Sequence, residues 1–388
     1  MPGTTLENHA KEIIQKTGFI VDSTLQFATT YDGSPRSLVY GGVYKGQPAV
    51  FKIYNKTGRQ LVRQPENALE FASGNASSRM HVPELFAYEV ESSESGWMIM
   101  ERVPETAQMF TSPLNDRQRQ EFLQAFFEYR SHMSLMSPWP IGKIDKRYIK
   151  DGGSISGAEF HALRITSWKK MAEAADAEYV QQGKDALLTE VLQEDIQTAL
   201  GMIETAFANQ PLYWCHGHFK PNEIHINSAT GNFWITDFGH MALFPRGYEF
   251  AFMIWADVLM EFGGEHVNIT AIAHHEDPSQ QRIQAQAEHG IISYAAYRQR
   301  VIDWISAYNT EVTRFMDESE QVSVTPDVRQ ALVLEKGIQM AALLERILGS
   351  LYADTIARVE VPYEQKQERV ALFQQLLHEI VNDTLFDL

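Results

Sequence analysis

The dominant hydrophobic period of this chain shifts near Pro104, and that shift limits the folds open to it. Before Pro104 the apolar residues alternate in short runs; after Asn115 they recur every three or four positions. Leu25, Phe27 and Thr29 alternate with Gln26, Ala28 and Thr30, and Asp32-Gly33-Ser34-Pro35 supplies turn chemistry. Leu38, Tyr40, Val43 and Tyr44 make a second run, Lys45-Gly46-Gln47 breaks it, and Ala49 to Tyr54 makes a third. Gln64 to Ser73 reads as a helix with Pro65 in its first turn. Val82 to Val90 and Gly96 to Val103 return to strand character, with Trp97, Ile99 and Glu101 alternating with Met98, Met100 and Arg102. The pattern predicts a five-stranded antiparallel sheet with one main helix.

Beyond Asn115, Phe122, Phe126, Tyr129 and Met133 repeat at spacings of four, three and four, one face of a helix. Ser137 to Gly157 is irregular, and helical patterning resumes over His161 to Ala208. A short β island spans Leu212 to Phe238. Gly247 to Leu388 is mostly helical, with a loop near His274 to Ser279 and a break at Val322 to Pro326; Phe252, Met253 and Trp255 read as core. The predicted class is α+β, with a β-rich lobe over 1–103, a mainly helical lobe over 104–388, and a site in the cleft between them. A length of 388 residues suits two lobes.

Lys and Arg total 33 against 50 Asp and Glu, a formal net charge of −17. Such a surface repels nucleic acid and anionic membranes and serves solubility first. Cys215 is the single cysteine, so no disulfide forms within the chain. Met1 to Gln15 holds no apolar leader, and no run approaches the ~18 apolar residues of a membrane span. These features predict a cytoplasmic protein.

The chemistry concentrates in Tyr213-Trp214-Cys215-His216-Gly217-His218-Phe219-Lys220-Pro221-Asn222-Glu223-Ile224, followed by Phe233-Trp234-Ile235-Thr236-Asp237-Phe238-Gly239. Physically this is a loop, a short strand, a turn at Ala229 to Asn232, a second strand, and an acid at its end. A carboxylate so placed is a hard donor suited to Mg²⁺. Cys215, His216, His218 and His225 also lie close in sequence, but adjacent Cys215 and His216 point apart, which argues against zinc. Cys215 follows Trp214 in an apolar segment, where a thiol is commonly inert.

The layout resembles the catalytic loop and metal segment of the aminoglycoside phosphotransferase and choline kinase family, which share the protein kinase-like fold. Those proteins carry H-G-D-x-x-x-x-N, then D-F-G. His216-Gly217 matches the opening and Asp237-Phe238-Gly239 the triplet; Gly247-Tyr248-Glu249-Phe250-Ala251 is similar to a downstream D-L-A element, with Glu for Asp. Two positions depart from the pattern: His218 stands where the catalytic Asp belongs, and Glu223 where the Asn belongs. The glycine-rich loop is also sparse, with Gly33 alone between the first two strands.

The resemblance implies a bilobal kinase that uses ATP and Mg²⁺. It casts Lys52, at the third strand, as a phosphate ligand, with Glu66 or Glu70 as its ion-pair partner. Met100-Glu101-Arg102-Val103 becomes the hinge whose backbone meets adenine. Asp237 and Glu223 become metal ligands, and His218 stands in for the base. It also implies a small-molecule hydroxyl acceptor, with acidic residues of the helical lobe suiting a cationic, amine-bearing one. A neutral imidazole, of ordinary pKa about 6.5, accepts a proton but brings no negative charge. The same replacement fits a pseudokinase that binds nucleotide or a partner without transfer. Alone, Lys52 reads as a solvated strand-end lysine, Glu66 as a surface acid, Glu223 as an exposed loop acid and Asp237 as a turn cap; their order in the chain is what carries the stronger reading.

Overall fold

The computed structural model describes residues 5–31, 34–55, 79–92, 95–110, 114–133, 149–150, 153–154, 157–208, 212–217, 219–238, 242–245, 247–259, 294–319, 363–382 and 384. Strands β1 (Ile20–Tyr31), β2 (Ser34–Tyr44), β3 (Gln47–Asn55), β5 (Leu85–Val90) and β6 (Ser95–Glu101) form an antiparallel sheet in the order β1-β2-β3-β6-β5. Between β3 and β5 lies β4 (Met80–His81). The predicted helix at Gln64 to Ser73 lies outside the described residues.

Alternation sorts this sheet into two faces. Ala49, Phe51 and Ile53 of β3 and Trp97 and Ile99 of β6 join Leu38 in one buried cluster. Helix α1 (Thr5–Thr17) closes that cluster with Leu6, Ala10 and Ile13. Within Met1 to Gln15 these three residues stand four and three apart, a helical spacing set among charged neighbours. Val50 and Lys52 point to the opposite face, paired with Met100 and Met98.

Gly42 of β2 sits where α1 hands over to β1. A Cβ there would lie 2.1 Å from the Ile20 carbonyl oxygen and 2.7 Å from the Phe19 ring. The obstacle is backbone, so Gly42→Ala is expected to cost roughly 1–3 kcal/mol, read as a lowered urea midpoint at unchanged slope.

The rest of the chain builds a helical body with small sheets set into it. Helices α2 (Asp116–Met133), α3 (Gly157–Gln181), α4 (Glu190–Phe207), α5 (Tyr248–Ile254), α6 (Tyr294–Ser319) and α7 (Tyr363–Val381) surround one large core. Phe122, Phe126 and Tyr129 are buried as their spacing predicts, and all three pack on Phe219. Phe252 and Met253 are buried as well. Thr189 caps α4 by accepting from the Leu192 amide.

A four-stranded sheet, β4-β12-β11-β7, joins the two parts of the chain, where β7 is Gln108–Met109, β11 Ile224–Asn227 and β12 Asn232–Ile235. β11 and β12 form the hairpin expected at the β island, while β4 reaches in from the first part to pair in parallel with β12. β8 (Ile149–Lys150) pairs with β9 (Gly153–Ser154), and β10 (Leu212–Cys215) pairs with β13 (Ala242–Pro245), a strand too short for the sequence pattern to assign. Among the described residues no helix is long and apolar enough to cross a membrane.

Candidate active site

β10 leads into His216, and Gly217 turns the chain with φ of 82°. Phe219 anchors the loop in the large core, a single 3₁₀ turn spans Pro221–Glu223, and β11 begins at once. β12 returns antiparallel, so Ile224 lies opposite Ile235 and the chain leaves the sheet through Thr236 into Asp237. Asp237 has φ of 56°, a left-handed conformation that Asp and Asn tolerate better than most residues.

Lys52 Nζ donates to Asp237 Oδ1 at 2.7 Å, across 185 residues of sequence. The lysine side chain is 16% exposed and the aspartate 36%, so water reaches the pair. Two residues chosen from separate ends of the pattern therefore meet.

Glu223 is buried 14 residues earlier in the chain than Asp237, and Lys220 Nζ lies 3.1 Å from its Oε1. Burial pushes its carboxyl up to about 7, and the like charge of Asp237 adds to the rise while Lys220 opposes it. Its backbone carbonyl accepts from both the amide and the hydroxyl of Thr236, which pins the loop to the strand end. In the unfolded chain this acid ionises near its ordinary value; in the folded chain it keeps its proton to about pH 7. Stability is thus highest below the unfolded value and falls as pH rises from about 4.5 to about 7, by up to roughly 3 kcal/mol. Glu223→Gln is expected to flatten that step in urea unfolding at pH 5 and pH 8.

His216 is fully buried and joins both loops. Its ring Nε2–H donates to the Thr236 carbonyl at 2.7 Å, which fixes the tautomer. Nδ1 then faces Glu223 Oε2 at 3.7 Å. Burial lowers the His216 pKa, so the ring is neutral at pH 7. Its amide donates to Glu249 Oε1 at 2.7 Å. Glu249 Oε2 takes Arg130 Nη1 at 3.0 Å, and Tyr129 Oη donates to Oε1 at 3.3 Å. Burial raises the Glu249 carboxyl, and Arg130 opposes that shift. The sequence reading placed Glu249 in the downstream element but missed Arg130. Its signal was a charged residue four positions after Phe126, on the apolar stripe of α2. Burial also pushes the Cys215 thiol well above its usual range, in keeping with an inert thiol.

At the predicted hinge, the Glu101 amide donates to the Glu84 carbonyl at 2.8 Å, and the Glu101 carboxylate accepts from the Glu84 amide. The Arg102 amide donates to the Pro48 carbonyl. Glu101 is thus occupied within the sheet, and among the described residues Val103 is the first past β6 with no backbone bond. His218, Glu66 and Glu70 lie outside the described residues.

Asp237 and Glu223 are hard oxygen donors of the kind a divalent cation takes, and the like charge of Asp237 adds to the burial that raises the Glu223 carboxyl. Among the described residues no three His, Cys, Asp or Glu side chains could share a metal, so phosphate oxygens would have to complete the shell.

No curated protein matches the chain. Among solved structures, an ethanolamine kinase from Plasmodium vivax is similar over 99% of this chain and 98% of its own, at 9% identity and a TM-score of 0.50. A ternary complex of the aminoglycoside phosphotransferase APH(4)-Ia with ADP and hygromycin B covers 96% of this chain and 97% of its own, at 15% identity and a TM-score of 0.47. Spectinomycin phosphotransferase APH(9)-Ia, with ADP and spectinomycin, covers 99% of both at 12% identity and 0.47. The antiparallel sheet followed by helices is the kinase-like α+β fold of that ethanolamine kinase. The model of the phosphotransferase enzyme family matches residues 37–285, well over half of the sequence, and this chain belongs to that family.

Proposed function

We propose that this protein transfers the terminal phosphoryl group of ATP to a hydroxyl of a small molecule, in a cleft between a lobe over 1–103 and a lobe over 104–388. The observation that carries this reading is the bond between Lys52 and Asp237. A lysine ammonium and a strand-end carboxylate at one gap are the two groups that a metal-bound triphosphate requires.

In this scheme Lys52 leaves Asp237 for the phosphate oxygens when nucleotide enters, with Glu66 or Glu70 taking over as its carboxylate partner. Val103 offers its backbone amide and carbonyl to the adenine edge. Asp237 and Glu223 would hold Mg²⁺, which when bound neutralises charge on the phosphate oxygens. His218 takes the acceptor's hydroxyl proton as the acceptor oxygen bonds to phosphorus and the bond to the ADP oxygen breaks. The helical segment at Gln118 to Ala208 shapes the acceptor pocket, and its acids favour an amine-bearing acceptor.

The test is thermal stabilisation by ATP with Mg²⁺, followed by turnover on aminoglycosides, amino alcohols and sugars. A binder at a hundredfold its Kd gains ~2.7 kcal/mol; no metal-dependent shift would sink the proposal. A second reading, a nucleotide-binding module without transfer, is favoured by His218 standing in the catalytic position. His218→Ala separates them: a general base contributes about 10²–10⁴ in rate, so kcat falls by that factor while nucleotide Kd holds. Restoration of the acid by His218→Asp lowers turnover when His218 is an adapted base, and raises it when the base was lost.

A further inference from the structure

The buried cluster behind the loop contains a cation that the proposed chemistry does not use. Arg130 projects from α2 with its side chain 7% exposed. It spends Nη1 on Glu249 Oε2 at 3.0 Å and on Cys215 Sγ at 3.5 Å. Glu249 divides its oxygens: Oε2 goes to the arginine, and Oε1 goes to the His216 amide and the Tyr129 hydroxyl. From His216 the path continues through Nε2–H to the Thr236 carbonyl, one residue before Asp237. A buried ion pair gains little over apolar packing of the same volume, so stability alone does not account for this arginine. Its place fits control over the loop.

We propose that Arg130 is a positioning residue for the metal site: by balancing Glu249, it holds the His216 amide and, through the His216 ring, sets where the Asp237 carboxylate stands. The inference rests on the function proposed above and adds a residue that touches neither nucleotide nor metal. Without the guanidinium, the buried carboxylate of Glu249 takes a proton or draws in water, and Oε1 becomes a poorer acceptor for the loop amide. A glutamine at 249 keeps a carbonyl oxygen for that amide and needs no cation beside it.

The readout is the ratio of ATP Kd without metal to ATP Kd with Mg²⁺, measured by calorimetry on full-length protein whose folding is checked by circular dichroism. Loss of stability alone leaves this ratio unchanged in the folded fraction. Arg130→Met is expected to lower the ratio by roughly tenfold, the size of a coupling carried through a bonded chain, with metal-free Kd unchanged. Arg130→Met combined with Glu249→Gln is expected to return it to within about twofold of the parent, a non-additivity that marks one linked unit. A folded Arg130→Met protein with the parental ratio overturns the proposal. Where that variant does not fold, the double variant decides: a parental ratio supports charge balancing, and a collapsed ratio overturns it. A parent protein with no metal-dependent ATP binding fails earlier, and that failure belongs to the proposed function.

Discussion

Asp237→Asn is expected to abolish the metal-dependent part of nucleotide binding while leaving the fold intact. The substitution removes the charge and keeps the size, and asparagine tolerates the left-handed φ of 56° at this position. Alanine there would add backbone strain and confuse the result. In the unliganded protein the change also breaks a 2.7 Å contact with Lys52, but Asp237 is 36% exposed and water replaces much of that bond. The large effect falls on the ligand. Removing one partner of a desolvated, hydrogen-bonded charge contact costs about 2–5 kcal/mol, which is roughly thirtyfold to several thousandfold in Kd. Titration calorimetry with ATP, with and without Mg²⁺, measures it directly. A variant that keeps the parental metal dependence would remove Asp237 from the site.

Asp257→Ala is expected to destabilise the protein more than Gly42→Ala or Asp237→Asn. Asp257 is 2% exposed and lies in the π-helical turn Trp255–Leu259 after α5. Its Oδ1 accepts the Leu114 amide at 2.9 Å and its Oδ2 the Trp304 indole N–H at 2.8 Å. The approach to α2 and the middle of α6 are thereby tied to one carboxylate. Alanine strands two buried donors, each costing about 1–3 kcal/mol, so the sum is roughly 2–6 kcal/mol, a large share of ordinary domain stability. Asp257→Asn keeps one acceptor and turns an amide group toward the other donor, so about half the loss is expected. Equilibrium urea unfolding of the three proteins measures the order. Equal midpoints for all three would show that the carboxylate does not hold these elements.

The outline of the fold was legible because period and turn chemistry agree where packing is regular. Ala49 to Tyr54 is an apolar run broken only by Lys52 because β3 is buried on both faces, and Phe122, Phe126 and Tyr129 repeat because one stripe meets Phe219. α1 was obscured by its charged exposed side, which made Met1 to Gln15 look like a solvated terminus. β13 escaped notice because four residues carry too little period to separate a strand from a loop. At the site, Lys52 and Asp237 could be paired in advance because their order in the chain is itself a pattern. Arg130 could not be, because its partner lies 119 residues away and nothing local shows that a helix will bury a guanidinium there. Nor does local sequence reveal that the Glu84 backbone engages both the amide and the carboxylate of Glu101, since the two residues lie 17 positions apart.

The sole thiol gives this molecule a natural clock. Cys215 is 3% exposed and its sulfur lies beside Arg130, at the root of the loop. A reagent that alkylates sulfhydryls reaches it only when that root comes apart, and with one cysteine per chain each event adds a single adduct. The rate of mass gain under native conditions therefore times the transient parting of the loop from its foundation, with no label or substitution introduced.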